Sequence, residues 1–213
     1  MFAPHPKVAL EDSTPSRYKF SVCNRLKETI LARLLKAPHV ATLLAALLVP
    51  AAVAAQDDET DFARWGGLVV RGNAPNYLDV GAGVFDFRAP FEDSARSAAG
   101  RLEVRGGKKL WFLGPAAGLM ANTDGGVFGY GGIYADIVYG NFVVTPLAAL
   151  GGYRQGNSTD LGGVLQFRLS LGLSYEFENH HRLGLNVAHV SNGTIHDTNP
   201  GEEELYVTYA IPF

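Results

Sequence analysis

The sequence predicts an all-β protein, an eight-stranded antiparallel transmembrane β-barrel that follows an N-terminal leader. Three observations predict it: a long alternation of apolar and polar residues near the C-terminus, the return of this alternation in neighbouring segments, and an export signal at the N-terminus. Together they favour a membrane protein built from strands over a soluble globular domain.

The alternation is clearest between Leu165 and Phe177. Every odd position carries a large apolar or aromatic side chain, and every even position carries a polar, charged or small one. A period of two indicates a strand rather than a helix. One uniformly apolar face opposite a face with charges is typical of a strand that separates lipid from a polar lumen, and roughly 9 to 11 residues suffice to cross a bilayer.

The same pattern returns on both sides of this stretch, between Leu183 and Ser191 and between Glu203 and Phe213, and Tyr130, Tyr134 and Asp136 indicate a further lumen-facing side. Aromatic residues at predicted strand ends, Tyr139, Phe177 and Phe213, fit the aromatic girdles of a membrane barrel. The predicted strands are 66–72, 77–88, 98–120, 126–139, 141–154, 161–178, 181–193 and 203–213.

The number of strands depends on the segment 98–120. As one strand kinked at Gly106 and Gly107 it gives eight strands, and as two strands it gives nine. Single-chain bacterial barrels keep even numbers, which favours one strand, although the sequence leaves both interpretations open.

The first 55 residues predict a secretory leader. The stretch from Arg25 to Lys36 is basic, the stretch from Val40 to Val49 is nearly all apolar, and small residues follow through Ala55. This is the layout of a signal peptide, so we expect a leader over 1–55 and a barrel over 56–213. The start codon and the cleavage residue stay open.

Removal of this leader changes the chemistry of the chain. The single cysteine, Cys23, goes with it, so the remaining chain has no disulfide. It keeps 11 Lys and Arg against 18 Asp and Glu, a net charge of −7, which argues against nucleic acid as a partner.

Three polar side chains interrupt the face that is predicted to contact lipid. His189 and Ser191 are two residues apart and share the face of Val187, while Glu203 begins the next strand in register with Leu205. Antiparallel pairing would bring the three together beside the long last loop, and long loops face the cell exterior.

These residue types suit nucleophilic catalysis, because a serine needs a base and a histidine needs a third group that orients it. The residues alone also fit an ordinary polar rim where strands project beyond the membrane. The neighbouring Glu202 and Glu204 show that acidic residues are common here.

From Tyr130 to Phe213 the chain resembles the PagL family of outer-membrane lipid A 3-O-deacylases, through the stretches "AHVSNG" and "NPGEE" and the terminal aromatic residue. The resemblance implies a triad of His189, Ser191 and Glu203, and the spacing from the Asn-Pro-Gly run singles out Glu203 from its two neighbours. It also implies an oxyanion donor just after the nucleophile. Because alternation turns Asn192 toward the lumen, the candidates are its side-chain amide, its backbone N–H and the backbone N–H of Gly193.

The expected protein is therefore an integral enzyme of the bacterial outer membrane, a serine carboxylic-ester hydrolase whose site faces the outer leaflet. It would remove the 3-linked primary acyl chain of lipid A or lipopolysaccharide, with outer-membrane lipid around it and without a cofactor. No metal site is expected, because the two candidate groups, His180 with His181 and His196 with Asp197, belong to opposite ends of the barrel.

Two alternatives remain at this stage. One is a non-catalytic small barrel, an adhesin or structural protein; the other is a lipid-modifying acyltransferase, which needs the same nucleophile but another acceptor. Acyl-chain specificity, latency or regulation, and the choice between a monomer and a homodimer also stay open.

Overall fold

The computed structural model describes residues 59–88 and 96–213, and all the regular structure in these residues is strand. The predicted leader over 1–55 lies outside them. The strands are β1 (Asp61–Trp65), β2 (Leu68–Arg71), β3 (Tyr77–Phe85), β4 (Ser97–Arg105), β5 (Gly114–Asn122), β6 (Val127–Tyr134), β7 (Asp136–Tyr139), β8 (Phe142–Arg154), β9 (Leu165–Glu176), β10 (Arg182–Ser191) and β11 (Glu202–Pro212). Within the described ranges, no helix has the length and apolar character needed to span a bilayer.

Antiparallel pairing closes these strands into a barrel. The order around the wall is β3, β4, β5, β6, β8, β9, β10 and β11, and β11 pairs with β3 to complete the circle. β7 continues β6 along the same wall, and between them the N–H of Ala135 donates a hydrogen bond to Pro146 O. The predicted eight-stranded antiparallel barrel is confirmed.

The eight strands are not all the predicted ones. The segment 98–120 forms two strands, β4 and β5, because the chain turns back between them through the Gly106 N–H to Pro115 O bond of 2.9 Å. The predicted strand over 66–72 is not a full wall strand, because β2 pairs only with β1 and with the short β7. Both the preferred single strand over 98–120 and the wall strand over 66–72 were therefore wrong, and the two errors cancel in the count.

The two ends of the barrel differ in their connections. One end, the loop end, carries the connections 123–126, 155–164 and 192–201, together with residues 86–88 and 96. The other, the turn end, carries 106–113, 140–141 and 177–181. Tyr139, Phe177 and Phe213 are exposed at the turn end, as expected of an aromatic girdle, and the rings of Tyr175 and Phe177 lie 5.2 Å apart there.

The predicted alternation holds along β9. Leu165, Phe167, Leu169, Leu171, Leu173 and Tyr175 are exposed on the outer wall. Gln166, Arg168 and Ser170 are buried inside. The charges of the lumen are thus separated from the apolar surface by the backbone of a single strand.

Buried ion pairs occupy the lumen near the turn end. The carboxylate of Asp136 accepts hydrogen bonds from Lys109 Nζ at 3.2 Å and from Arg182 at 3.1 Å, and Glu176 pairs with Arg71 at 2.8 Å and with Arg182 at 2.7 Å. Buried charges of this kind are tolerated only when they are paired. Burial lowers the pKa of the Lys109 ammonium, although Asp136 opposes that shift.

Replacing Asp136 with alanine should lower the free energy of unfolding by about 3–5 kcal/mol, because it removes the partner of two buried cations. Urea unfolding in detergent micelles, followed by tryptophan fluorescence, measures this loss. Asp124→Ala, in the connection between β5 and β6, is the matched control and should leave the midpoint unchanged, because the Asp124 carboxylate is half-buried and forms no ion pair with the described residues. Equal stability of both variants would contradict the importance of this pairing.

Candidate active site

The candidate site lies on the outer wall at the loop end, where β10 and β11 form a hairpin. His189 and Glu203 face each other directly across this hairpin, and Ser191 is the last residue of β10, opposite Phe167 of β9. Residues two apart on a strand share a face, so Ser191 lies on the same side as His189. The structure therefore places all three predicted residues on one patch of the wall.

The histidine and the acid are close enough to interact. His189 Nδ1 lies 3.4 Å from Glu203 Oε1, within ion-pair range but longer than a strong hydrogen bond. The imidazole is 47% exposed and the carboxylate 24% exposed, and Ser191 is half-buried. With Nδ1 turned to the acid, Nε2 is the nitrogen left to exchange a proton with a serine hydroxyl.

Gly201, from the Asn-Pro-Gly run, lies against the histidine ring. A Cβ at this position would come within 2.9 Å of His189 Cε1, and the residue has a φ of +66°. Only glycine adopts that backbone conformation readily, and any side chain here would displace the imidazole. The glycine of this run thus serves the placement of His189.

Asn192 is fully buried and its donors are engaged. Its side-chain amide donates to Leu161 O at 2.7 Å and to Thr198 O at 2.6 Å, while its backbone N–H donates to Asn199 Oδ1 at 3.0 Å. The bond to Leu161 ties the connection 192–201 to the connection 155–164, and the bond to Thr198 closes the connection 192–201 on itself. In this arrangement Asn192 positions the backbone after Ser191, and neither of its N–H groups is free for an oxyanion.

The backbone N–H of Gly193 is the remaining candidate donor. Within the described ranges it has no hydrogen-bond partner. Asn199 contributes indirectly, since its carboxamide oxygen holds the adjacent N–H of Asn192. In the sequence Asn199 is distinguished only as the first residue of the Asn-Pro-Gly run, and its contact with Asn192 depends on how the loop folds back.

Arg88 is a neighbour of the site that the sequence did not indicate. Its guanidinium NH1 donates to Glu203 Oε1 at 2.8 Å, although the side chain is 69% exposed. Arg88 follows β3, and it meets Glu203 only because β3 pairs with β11 where the barrel closes. No local pattern in the sequence could have predicted this contact.

The two neighbouring glutamates point the other way. Glu204 pairs in the lumen with Arg168, and Glu202 accepts a 3.3 Å hydrogen bond from the Asp86 N–H. Both are fully buried. Alternation along β11 therefore separates Glu203 from its neighbours, as the sequence predicted.

Metal ligands do not assemble in the residues that the structure describes. No group of three or more His, Cys, Asp or Glu in those residues has the geometry for a metal ion. His180 and His181 lie in the turn after β9, whereas His196 and Asp197 lie at the loop end.

Several solved structures are similar to this chain. The chain is similar to the crystal structure of the outer membrane enzyme PagL, with a TM-score of 0.50 and 16% identity over 64% of this chain and 99% of that one. It also matches a de novo designed transmembrane β-barrel (TM-score 0.47, 12% identity, 68% and 99% covered) and the Yersinia pestis outer membrane protein Ail (TM-score 0.38, 14% identity, 65% and 100% covered). None of the curated proteins compared with the chain matches it.

The family comparison reaches further along the chain than the resemblance seen in the sequence. The model of the PagL family, described as lipid A 3-O-deacylase, matches residues 76–212, from the start of β3 to the end of β11. Because this match spans more than half of the chain, the protein belongs to the PagL family of integral outer-membrane β-barrels, the lipid A 3-O-deacylases.

Proposed function

We propose that this protein is a serine esterase that hydrolyses the 3-linked primary acyl ester of lipid A. Ser191 is the nucleophile, His189 the general base and acid, and Glu203 the group that orients His189. The observation that carries the proposal is the direct pairing of His189 with Glu203 on the outer wall, with Ser191 two residues farther along the same face.

The reaction proceeds through an acyl-enzyme. Ser191 Oγ attacks the acyl carbonyl carbon while His189 Nε2 takes the hydroxyl proton, and Glu203 stabilises the imidazolium that forms. The backbone N–H of Gly193 donates to the oxyanion of the tetrahedral intermediate. The intermediate collapses as His189 returns the proton to the 3-oxygen of the sugar, which leaves as a hydroxyl group.

Water completes the cycle. His189 takes a proton from a water molecule that attacks the acyl-serine carbonyl, and the second collapse releases a free fatty acid and restores the Ser191 hydroxyl. The exposed imidazole gives water access to this position.

The surroundings of the site suit a substrate that stays in the bilayer. Phe167, Leu169, Val187 and Leu205 flank the three residues and are all exposed on the outer wall. An acyl chain can therefore lie against the barrel while its ester reaches Ser191. The loop end faces the outer leaflet in this proposal, as long barrel loops do.

Lipid A from cells that make the protein tests this proposal. Mass spectrometry should find lipid A lighter by one 3-linked hydroxyacyl chain, and the purified protein in detergent micelles should release the same chain as a free fatty acid. Transfer of the chain to another lipid would indicate an acyltransferase instead. Unchanged lipid A both in cells and in micelles, with the barrel folded, would support a non-catalytic barrel.

A further inference from the structure

Two groups share one oxygen of the proposed catalytic acid. Glu203 Oε1 accepts a hydrogen bond from Arg88 NH1 at 2.8 Å and lies 3.4 Å from His189 Nδ1. The shorter contact is the one with arginine, so in this state the carboxylate interacts more closely with Arg88 than with the histidine that it must orient.

Backbone pairing between the end of β3 and the start of β11 places Arg88 beside Glu203. The N–H of Phe87 donates to the carbonyl oxygen of Glu203 at 2.9 Å, which extends the β3–β11 pairing beyond the last residue of β3. One residue earlier, Asp86 has a φ of 55° and accepts a 3.1 Å bond from the Thr159 hydroxyl. The backbone just before Arg88 is therefore held in place by these bonds, while the Arg88 side chain itself is mostly exposed.

This arrangement affects catalysis through charge. When His189 takes the serine proton it becomes a cation beside an arginine on the same carboxylate oxygen, and like charges at such range disfavour each other. The arginine thus slows the proton transfer as long as it stays on Glu203. Its exposed guanidinium can instead meet an anionic group at the membrane surface.

We propose that Arg88 determines substrate specificity by exchanging partners: it holds Glu203 in the free enzyme and turns to a phosphate of the lipid headgroup when substrate binds, which releases Glu203 to His189. A planar guanidinium suits this exchange, because it binds carboxylate and phosphate with the same two-pronged geometry. The inference rests on the proposed esterase function and names the part of the substrate that the enzyme recognises.

A pair of substrates that differ only in phosphate tests the exchange. Lipid A and the same lipid A stripped of its phosphates by a phosphatase are compared in matched detergent micelles, with release of the 3-linked fatty acid as the readout. For Arg88→Gln we expect KM for phosphorylated lipid A to rise roughly tenfold, since a charge-assisted contact is lost. On the stripped lipid, kcat should rise by about two- to fivefold, because the exposed arginine no longer competes for Glu203.

Two further variants sharpen the result. Arg88→Lys keeps the charge but not the planar fork, so it should fall between the native protein and Arg88→Gln on both substrates. Arg154→Gln removes an exposed arginine at the end of β8, also at the loop end but two strands from the site, and should change neither parameter.

The outcomes separate this inference from the proposed function. If Arg88→Gln loses activity in the same proportion on both substrates, Arg88 has a purely structural role. If its kinetics are unchanged on both substrates, Arg88 has no role in the reaction. Either result overturns the exchange and leaves the esterase proposal intact. A native protein that hydrolyses both lipids equally also overturns it. If the folded native protein releases fatty acid from neither lipid, the esterase proposal itself fails.

Discussion

Replacing Ser191 with alanine should abolish the release of the 3-linked acyl chain, with kcat lower by roughly 10⁴- to 10⁶-fold, the range that loss of a triad nucleophile produces in other serine hydrolases. The physical reason is that no other serine or threonine of β9, β10 and β11 lies on the outer face with His189 and Glu203, because Ser170, Ser174 and Thr208 occupy inward-facing positions. The barrel should fold and insert normally, because a half-buried serine at a strand end contributes little packing. Fatty-acid release in micelles measures the activity, and circular dichroism with heat-dependent gel mobility checks the fold.

His189→Ala and the double variant with Ser191→Ala should each lose about as much activity as the serine variant alone, because the members of a triad act as one unit. His181→Ala, in the turn that precedes β10 at the opposite end of the barrel, is the matched control and should retain full activity. Losses that multiply in the double variant would contradict a shared mechanism, and so would an inactive His181→Ala protein that is well folded.

Substitutions of the three consecutive glutamates at the start of β11 should distinguish a loss of catalysis from a loss of stability. Glu203→Gln should lower kcat by about 10³- to 10⁴-fold, since the amide cannot stabilise the imidazolium, and it should leave the free energy of unfolding nearly unchanged. Glu204→Gln should lower the free energy of unfolding and leave kcat nearly unchanged, because Glu204 pairs with the buried Arg168 in the lumen.

Glu202→Gln serves as the second comparison, because Glu202 is buried and faces away from His189. Kinetics in micelles and urea unfolding of the same preparations give the two readouts. A comparable loss of activity in all three variants, with equal stability, would mean that Glu203 has no special place and that the proposed triad is wrong.

Local pattern was sufficient for much of this structure. The faces of β9, β10 and β11 followed from alternation alone, because the backbone of any strand turns successive side chains to opposite sides whatever its partners are. The same rule placed His189, Ser191 and Glu203 on the outer wall and turned Glu202 and Glu204 inward.

The number of strands, and which segments form the wall of the barrel, were harder to predict where glycine and small residues weaken the alternation. The segment 98–120 alternates clearly only between Arg101 and Arg105, and small residues dominate the part that becomes β5, so periodicity could not show that it forms β4 and β5. The segment 66–72 contains a short apolar run, Leu68 to Val70, that suits a strand, but whether β2 crosses the membrane depends on which strand it pairs with. Periodicity carries information about one strand, whereas pairing involves residues far apart in the chain.

The sequence by itself thus determined the class of fold, the two faces of the wall and the residues that belong together in the candidate site, since these follow from spacing within and between adjacent strands. Only the tertiary structure decided that the side-chain amide of Asn192 donates to Leu161 and Thr198. It also decided that Arg88 contacts Glu203 where β3 pairs with β11. These contacts join residues from separate parts of the chain, such as Leu161 with Asn192 or Arg88 with Glu203. They arise when the barrel closes and its loops pack, and no periodicity in the sequence records them.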